Sequence, residues 1–455
     1  MSNLFSDTIV GISTALTNNA VSIIRVSGDE AVTIVNKIFQ GKNLNKVKSH
    51  TVSYGHIIDI ETKEIIDEVL VSVFLNPRSY TKEDVVEINC HGGIFVTNQV
   101  LDQVVLAGAR LAEAGEFTKR AFLNGRIDLT KAEAVMDMIS SDSKKSLSLA
   151  NSGLRGDIKK MIDELRSKIL DIISIINVNI DYPEYDDVEQ LTSEVIKPRI
   201  IDLKNTLKNI LDKSKDATII KNGINTVIVG KPNVGKSSIL NLLLSENKAI
   251  VTNIPGTTRD IVEGKVTMKG ITLNLIDTAG IRETEDIVEK IGVEKSISKI
   301  EEADLILFVF DGSKPIEEED LTLLKMLENK KYLKVVNKND LEIKLEEEYL
   351  KDSILINTVN ENSIATIEET ILKFLDLEDI SQNLSGVITN TRQIGKIKES
   401  YSDILEALNN IEDGAFIDFV EIPLKSAWTH LGEITGSVSN DNLLDELFSK
   451  FCLGK

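Results

Sequence analysis

The spacing of hydrophobic positions changes along the chain, and each change marks a segment. Up to about residue 120 the apolar residues come as short β-branched runs separated by polar ones, with two helix-like stretches between them. That is the pattern of an α/β sheet domain. Val69-Leu70-Val71-Ser72-Val73-Phe74-Leu75 reads as a strand, and Asn76-Pro77 ends it. From residue 128 to about 215 the period becomes helical. Leu165, Ile169, Ile172 and Ile176 fall on one stripe, which reads as core or dimer packing rather than a cofactor box. Strand and helix alternate again from about 222 to 375, and helix returns from about 391 to the end. The fold class is therefore α/β plus all-α. The expected division is 1–120 for an N-terminal α/β domain, 121–216 for the first part of a helical domain, 217–380 for an inserted α/β domain and 381–455 for the second helical part. There is no internal repeat.

Bulk properties narrow the function. A chain of 455 residues is long enough for two to three domains with sizeable cores. The formal net charge of -20 argues against broad, unaided wrapping of nucleic acid. No apolar run approaches the length of a membrane helix, and no basic-plus-apolar leader opens the chain, so no membrane partner is expected. Cys90 and Cys452 lie far apart and make neither a disulfide framework nor a zinc pattern, which fits a reducing cytoplasm. The acidic stretch Glu317-Glu318-Glu319-Asp320 reads as a solvated face.

The inserted segment carries the chemistry. Gly230-Lys231-Pro232-Asn233-Val234-Gly235-Lys236-Ser237 fits G-x-x-x-x-G-K-[ST], between an apolar strand at 226–229 and a helix-like stretch at 238–244 that opens with Ser238. Backbone N–H groups of such a loop close around phosphates, and the following helix N-terminus adds positive potential. Lys236 then reaches the β- and γ-phosphates, and Ser237 ligates Mg²⁺. Asp277-Thr278-Ala279-Gly280 follows a strand at 271–276, where an acid holds Mg²⁺ through water and a glycine N–H senses the γ-phosphate. Asn337-Lys338-Asn339-Asp340 follows a strand at 333–336. The Asp340 carboxylate can accept from the N1–H and exocyclic amine of guanine, a donor pair that adenine lacks. Gly256-Thr257-Thr258-Arg259-Asp260 sits where a switch loop would be. The ordered set points to GTP as substrate. In Ras-like enzymes a glutamine after the D-x-x-G glycine positions the attacking water. Here Ile281 stands there, so another group must do so, with Glu283, Glu285, Asp286 and Glu289 as candidates.

With these motifs the chain resembles the tRNA-modifying GTPase family MnmE (TrmE). The resemblance rests on the K-P-N-x-G-K-S loop, the G-T-T-R-D switch, D-T-A-G before an apolar residue, and the ending Cys452-Leu453-Gly454-Lys455. It extends over the whole length through Ile23-Ile24-Arg25-Val26-Ser27-Gly28, Glu83-Asp84-Val85-Val86-Glu87, His91-Gly92-Gly93, Gly115-Glu116-Phe117-Thr118 and Arg120–Leu129. It implies a Ras-like G domain inserted in a helical domain, after an N-terminal domain similar to tetrahydrofolate-binding folds.

The resemblance further implies a K⁺-activated GTPase that forms a homodimer. Such an enzyme works with the flavoprotein MnmG (GidA) in a heterotetramer or larger complex. Together they make a 5-carboxymethylaminomethyl or aminomethyl-type modification of the wobble uridine of certain tRNAs. FAD belongs to the partner alone, and tRNA is shared with it. Carried over by motif, Ser237 and Thr258 match Mg²⁺ ligands. Asn233, Thr252, Ile254 and Thr257 match K⁺ ligands, with Asn253 and Pro255 in the same nucleotide loop. Glu289 matches the acid that orients water; its plain alternative is a solvated helix charge. Arg25, Glu87, Arg126 and Lys455 match a site for a 5-formyl or methylene tetrahydrofolate, with surface ion pairing as the alternative. Cys452 matches a reactive position, or else is a small apolar anchor. Two segments depart from the family: Thr14-Ala15-Leu16-Thr17-Asn18-Asn19-Ala20 replaces a glycine-rich turn, and Asn357-Thr358-Val359 replaces the last guanine loop. A second reading of the G motifs alone is a ribosome-assembly or RNA-chaperone GTPase acting as a binding switch.

Overall fold

The computed structural model describes residues 7–181, 195–246, 262–276, 300, 303–327, 330–360, 362–375, 386–438, 441–451 and 454. They form two compact units, Met1–Met136 with Trp428–Lys455, and Asp137–Ala427.

The first unit is built on a sheet of seven strands: β1 (Ile9–Ile12), β2 (Val21–Ser27), β3 (Phe39–Gly41), β4 (Thr51–Ile58), β5 (Ile65–Phe74), β6 (Val85–His91) and β7 (Arg110–Leu111), in the order β3-β4-β5-β6-β2-β1-β7. All neighbours are antiparallel except β1 and β7. The strand expected at 69–75 is the second half of β5. Val69, Val71 and Val73 are buried, while Leu70 between them is exposed, as the two-residue strand period requires. Two helices, α1 (Ala31–Ile38) and α2 (Ile94–Leu106), contribute Ile34, Ile38, Val100 and Val104 to the same core as Val26, Val86 and Ile88. Each such side chain contributes about 1.5–3 kcal/mol by burial. Two further helices follow, α3 (Glu116–Leu123) and α4 (Leu129–Ile139). Arg120 on α3 is fully buried, and its guanidinium meets Asp7 at 2.8 Å, Glu116 at 2.9 Å and Glu83 at 3.3 Å. Burial alone would raise the Glu116 carboxyl, but hydrogen bonds from Arg110, the Glu113 N–H and Arg120 hold it below its ordinary value. The last helix of the chain, Asp441–Ser449, adds Leu444 and Phe448 to a small core with Leu129 and Phe451.

In the second unit, the described residues begin with three helices: α5 (Lys144–Arg155), α6 (Asp157–Asp181) and α7 (Lys197–Asn222). The stripe Leu165, Ile169, Ile172 and Ile176 lies on α6 and is buried throughout. Ile200, Leu203 and Leu207 are the buried stripe of α7, which packs against the later helix Thr391–Glu412, where Ile397 and Ile404 are buried. Between them lies a second sheet of β8 (Ile224–Val229), β9 (Val262–Met268), β10 (Ile271–Ile276), β11 (Leu305–Asp311), β12 (Tyr332–Asn337) and β13 (Ser353–Leu355), in the order β13-β12-β11-β8-β10-β9. All pairs are parallel except β9 with β10. Cores lie on both faces, so β11 is buried along its whole length and reads as a continuous apolar run. Strand order reverses around β8, which pairs with β10 on one side and β11 on the other. In such sheets ligands bind beyond the carboxyl ends of the strands at that point.

Candidate functional site

The glycine loop leaves the carboxyl end of β8 at that reversal and runs into a helix, Lys236–Glu246, which we label α8. Its sequence is dictated by backbone shape. Gly235 has φ +101, and a Cβ there would collide with the Asn337 amide; Asn233 takes φ 62. Val234 is buried and pins the loop, while Asn233, Ser237 and Ser238 are exposed. The Lys236 ammonium donates to the Gly230 carbonyl at 2.8 Å and the Lys231 carbonyl at 2.5 Å. Burial lowers its pKa below the ordinary lysine value. A partly dehydrated cation inside a ring of backbone, next to a helix N-terminus, is suited to phosphate oxygens.

The second motif braces this loop. The Asn337 amide donates to the Val234 carbonyl at 2.9 Å, and its Oδ1 is buried with no hydrogen-bond partner among the described residues. Lys338, at φ 64, donates to the Asn233 carbonyl at 3.3 Å and to Asp311 Oδ2 at 2.7 Å. Asp340 is exposed and pairs with no side chain among the described residues. The loop and the Asn337–Asp340 segment, about a hundred residues apart, are thereby one object (the Asn337–Val234 separation is 103).

Two residues of this site were not found by sequence reasoning. Asp311 ends β11; burial would raise its carboxyl, but hydrogen bonds from Lys338 and Ser313 hold it below the ordinary value. Its signal was an acid directly after the run Leu305–Phe310, at the carboxyl end of a central strand. Lys231 is buried and donates to Asp320 at 2.7 Å and Glu317 at 2.8 Å. This corrects the reading of 317–320 as a solvated face. Glu318 and Glu319 are exposed, but Asp320 is buried because it closes the capping box at the start of the helix Glu318–Met326 and takes the charge of Lys231. Thr252, Asn253, Ile254, Pro255, Gly256, Thr257, Thr258, Asp277, Thr278, Ala279, Gly280, Ile281 and Glu289 lie outside the described residues. Strand β10 ends at Ile276, directly before Asp277.

A second constellation lies in the first unit. Arg25 on β2 and Glu87 on β6 are cross-strand partners, joined by Nε and Nη2 to Oε1 at 2.9 Å. Their side chains are 17% and 23% exposed, so the pair is partly open to solvent. The Arg25 guanidinium lies 5.3 Å from the Tyr80 ring centre and 5.8 Å from that of Phe117. Arg126 lies 4.9 Å from the same Tyr80 ring. The chain's end docks here: the Gly454 carbonyl accepts from Ser13 Oγ at 3.1 Å and from Arg25 Nη1 at 3.4 Å. Gly454 has φ +83, and a Cβ would collide with the Ile12 carbonyl. Cys452, Leu453 and Lys455 lie outside the described residues. The atypical loop 14–20 is tied back, with Thr14 Oγ1 accepting from the Ile23 N–H at 3.2 Å and the Asn19 N–H donating to the Gly92 carbonyl at 2.9 Å. The structure thus brings Arg25, Glu87 and Arg126 together with the backbone of the tail.

Two family models match the chain. The family described as "GTP-binding protein TrmE N-terminus" matches residues 8–126, and "MnmE helical domain" matches residues 129–452. A protein of Bacillus cytotoxicus named tRNA modification GTPase MnmE is 47% identical over 455 residues, covering 99% of both chains. A protein of the same name from Acholeplasma laidlawii is 49% identical over 448 residues, 98% of this chain and 99% of that one. Among solved structures, the G domain of the T. maritima FeoB iron transporter is 29% identical over 33% of this chain and 98% of that one, with a TM-score of 0.25, too low to bear on the fold.

Proposed function

The chain belongs to the MnmE family of tRNA modification GTPases, and from that premise we propose how its residues divide the work. GTP is held by the loop Asn233–Ser238. Lys236 and the loop N–H groups take the β- and γ-phosphates, and Asp340 selects guanine by accepting from its N1–H and exocyclic amine. Ser237 and Thr258 are the residues to hold Mg²⁺. Asn233, Thr252, Ile254 and Thr257 are those to hold K⁺, and an exposed Asn233 beside the phosphate loop fits that assignment. Such cations neutralise the charge that develops between the β- and γ-phosphates. Glu289 orients the attacking water, a task that Ile281 has no polar group to perform.

The first unit binds a tetrahydrofolate derivative, 5-formyl or methylene, through Arg25, Glu87, Arg126 and Lys455. A carboxylate suits a pterin edge and guanidiniums suit a glutamate tail. The observation supporting this most is the Gly454 carbonyl accepting from Arg25, a residue of the same proposed site. The protein acts as a homodimer in the cytoplasm, with domains at 1–120, 121–216, 217–380 and 381–455. It works with the flavoprotein MnmG (GidA), which carries the FAD, shares the tRNA and supplies much of the phosphate contact. A net charge of -20 favours that sharing.

The test is mass spectrometry of wobble uridines in tRNA from cells lacking the protein, with and without a plasmid copy. Loss of the aminomethyl-type group, restored by the wild-type copy, is expected. An unchanged wobble profile with accumulated ribosome precursors would favour the binding-switch reading instead.

A further inference from the structure

Tyr80 stands at the centre of the N-terminal constellation although no motif pointed to it. Its ring lies under two guanidiniums, those of Arg25 and Arg126. Its hydroxyl is 2.9 Å from Thr118 Oγ1 on α3. The segment after it is locked to the segment before Arg126. The Asn124 amide donates to the Thr81 carbonyl at 2.8 Å, and Lys82 donates to the Asn124 and Gly125 carbonyls at 3.1 Å each. Lys82 takes φ 59 within this arrangement. Every one of these contacts fixes the ring relative to the two arginines.

The charges explain why a ring is needed. Glu87 neutralises Arg25, but no carboxylate among the described residues pairs with Arg126. Two cations close to one point repel each other and would part toward solvent. The negative face of an aromatic ring attracts both and leaves the charge of Arg126 uncancelled. A carboxylate in the same place would also hold them, but it would leave no net positive charge for a ligand. In a chain of net charge -20, an arginine held this way is a site prepared for an anion.

We propose that Tyr80 is a positioning residue of the N-terminal site: its ring holds Arg25 and Arg126 at a fixed spacing so that both face one anionic ligand. This rests on the reading of the ligand as a tetrahydrofolate, whose glutamate carboxylates supply the negative charge. The ring is the active part and the hydroxyl serves only to orient it.

Two measurements on the full-length protein decide this. The first is calorimetric titration with 5-formyltetrahydrofolate of the wild type, Tyr80→Phe and Tyr80→Leu, each checked for an unchanged unfolding midpoint. Losing both ring contacts should weaken binding roughly tenfold in Tyr80→Leu. Tyr80→Phe keeps the ring and should stay within about threefold of wild type. The second is the rate at which phenylglyoxal modifies Arg25 and Arg126, read by peptide mass spectrometry without any folate. Both arginines should react several-fold faster in Tyr80→Leu, and at the wild-type rate in Tyr80→Phe. Wild-type affinity in Tyr80→Leu would overturn the proposal. So would equal weakening in both variants, because the hydroxyl bond would then be the active part. If the wild type binds no folate, the ligand reading falls. The arginine rates then decide the role of Tyr80 alone: faster modification in Tyr80→Leu upholds it and unchanged rates overturn it. A variant that unfolds early is replaced by Tyr80→Met, judged by the same two readouts.

Discussion

Lys231→Met should loosen the phosphate loop from the start of the helix Glu318–Met326, and the size of the effect follows from burial. The Lys231 side chain is 9% exposed and its partner Asp320 is 3% exposed, whereas its other partner, Glu317, is 54% exposed. The Glu317 arm is a surface pair, contributing about 0–1 kcal/mol. The Asp320 arm is different. Removing the cation leaves a buried carboxylate, and breaking such pairs costs about 3–5 kcal/mol. Asp320 keeps its capping bond from the Glu317 N–H at 3.0 Å, so the low end applies, about 3 kcal/mol. For a unit of this size that corresponds to a fall of about 6–12 °C in the unfolding midpoint. GTP turnover should fall too, since the Lys231 carbonyl is one of the two acceptors among the described residues that hold Lys236. Burial by itself would lower the Lys231 pKa, but the hydrogen bonds and charges of Asp320 and Glu317 outweigh it and raise it. A lysine with a raised folded pKa stabilises fully below its unfolded value of about 10.4, and the contribution is lost as pH rises through the folded value. The difference between wild type and Lys231→Met should therefore be flat from about pH 6 to 9 and shrink only above that. Scanning calorimetry across pH, with Lys231→Arg and Glu317→Gln as companions, checks this. A drop under about 2 °C in Lys231→Met, or an equal drop in Glu317→Gln, would refute the reasoning.

Three further outcomes are expected. GTP hydrolysis should be much faster in K⁺ than in Na⁺ at equal ionic strength, because ligands spaced for K⁺ hold the smaller ion poorly; equal rates would remove the cation from the mechanism. Glu289→Ala should slow hydrolysis roughly ten- to a thousand-fold with GTP affinity little changed; lost affinity in a binding titration would make Glu289 structural. Gly454→Ala should lose wobble-uridine modification but keep GTP turnover, because φ +83 and the Ile12 carbonyl exclude a side chain where the tail docks; normal modification in a reconstituted assay would show the docking to be dispensable.

What the sequence determined was local and ordered along the chain. Strands β8, β10 and β12 came out within a residue or two, because β-branched and leucine positions dominate each of them and a nucleotide motif follows each carboxyl end. The α6 stripe was legible because helical spacing alone selects which residues share a face. The nucleotide motifs were legible because phosphate cradles need glycines at set positions, here Gly230 and Gly235 at positive φ. What only the tertiary structure decided was which charges meet. Nothing in the sequence separates Asp320 from its exposed neighbours Glu318 and Glu319; the helix start turns it inward, and the loop brings Lys231 to it. Nor does spacing say that Arg25 meets a carbonyl 429 residues away, or that Tyr80 receives two guanidiniums. Backbone conformation and burial act over a few residues and leave a periodic trace in sequence. Ion pairs and ring contacts form across folded surfaces, and their partners are chosen by the packing of elements that the sequence separates.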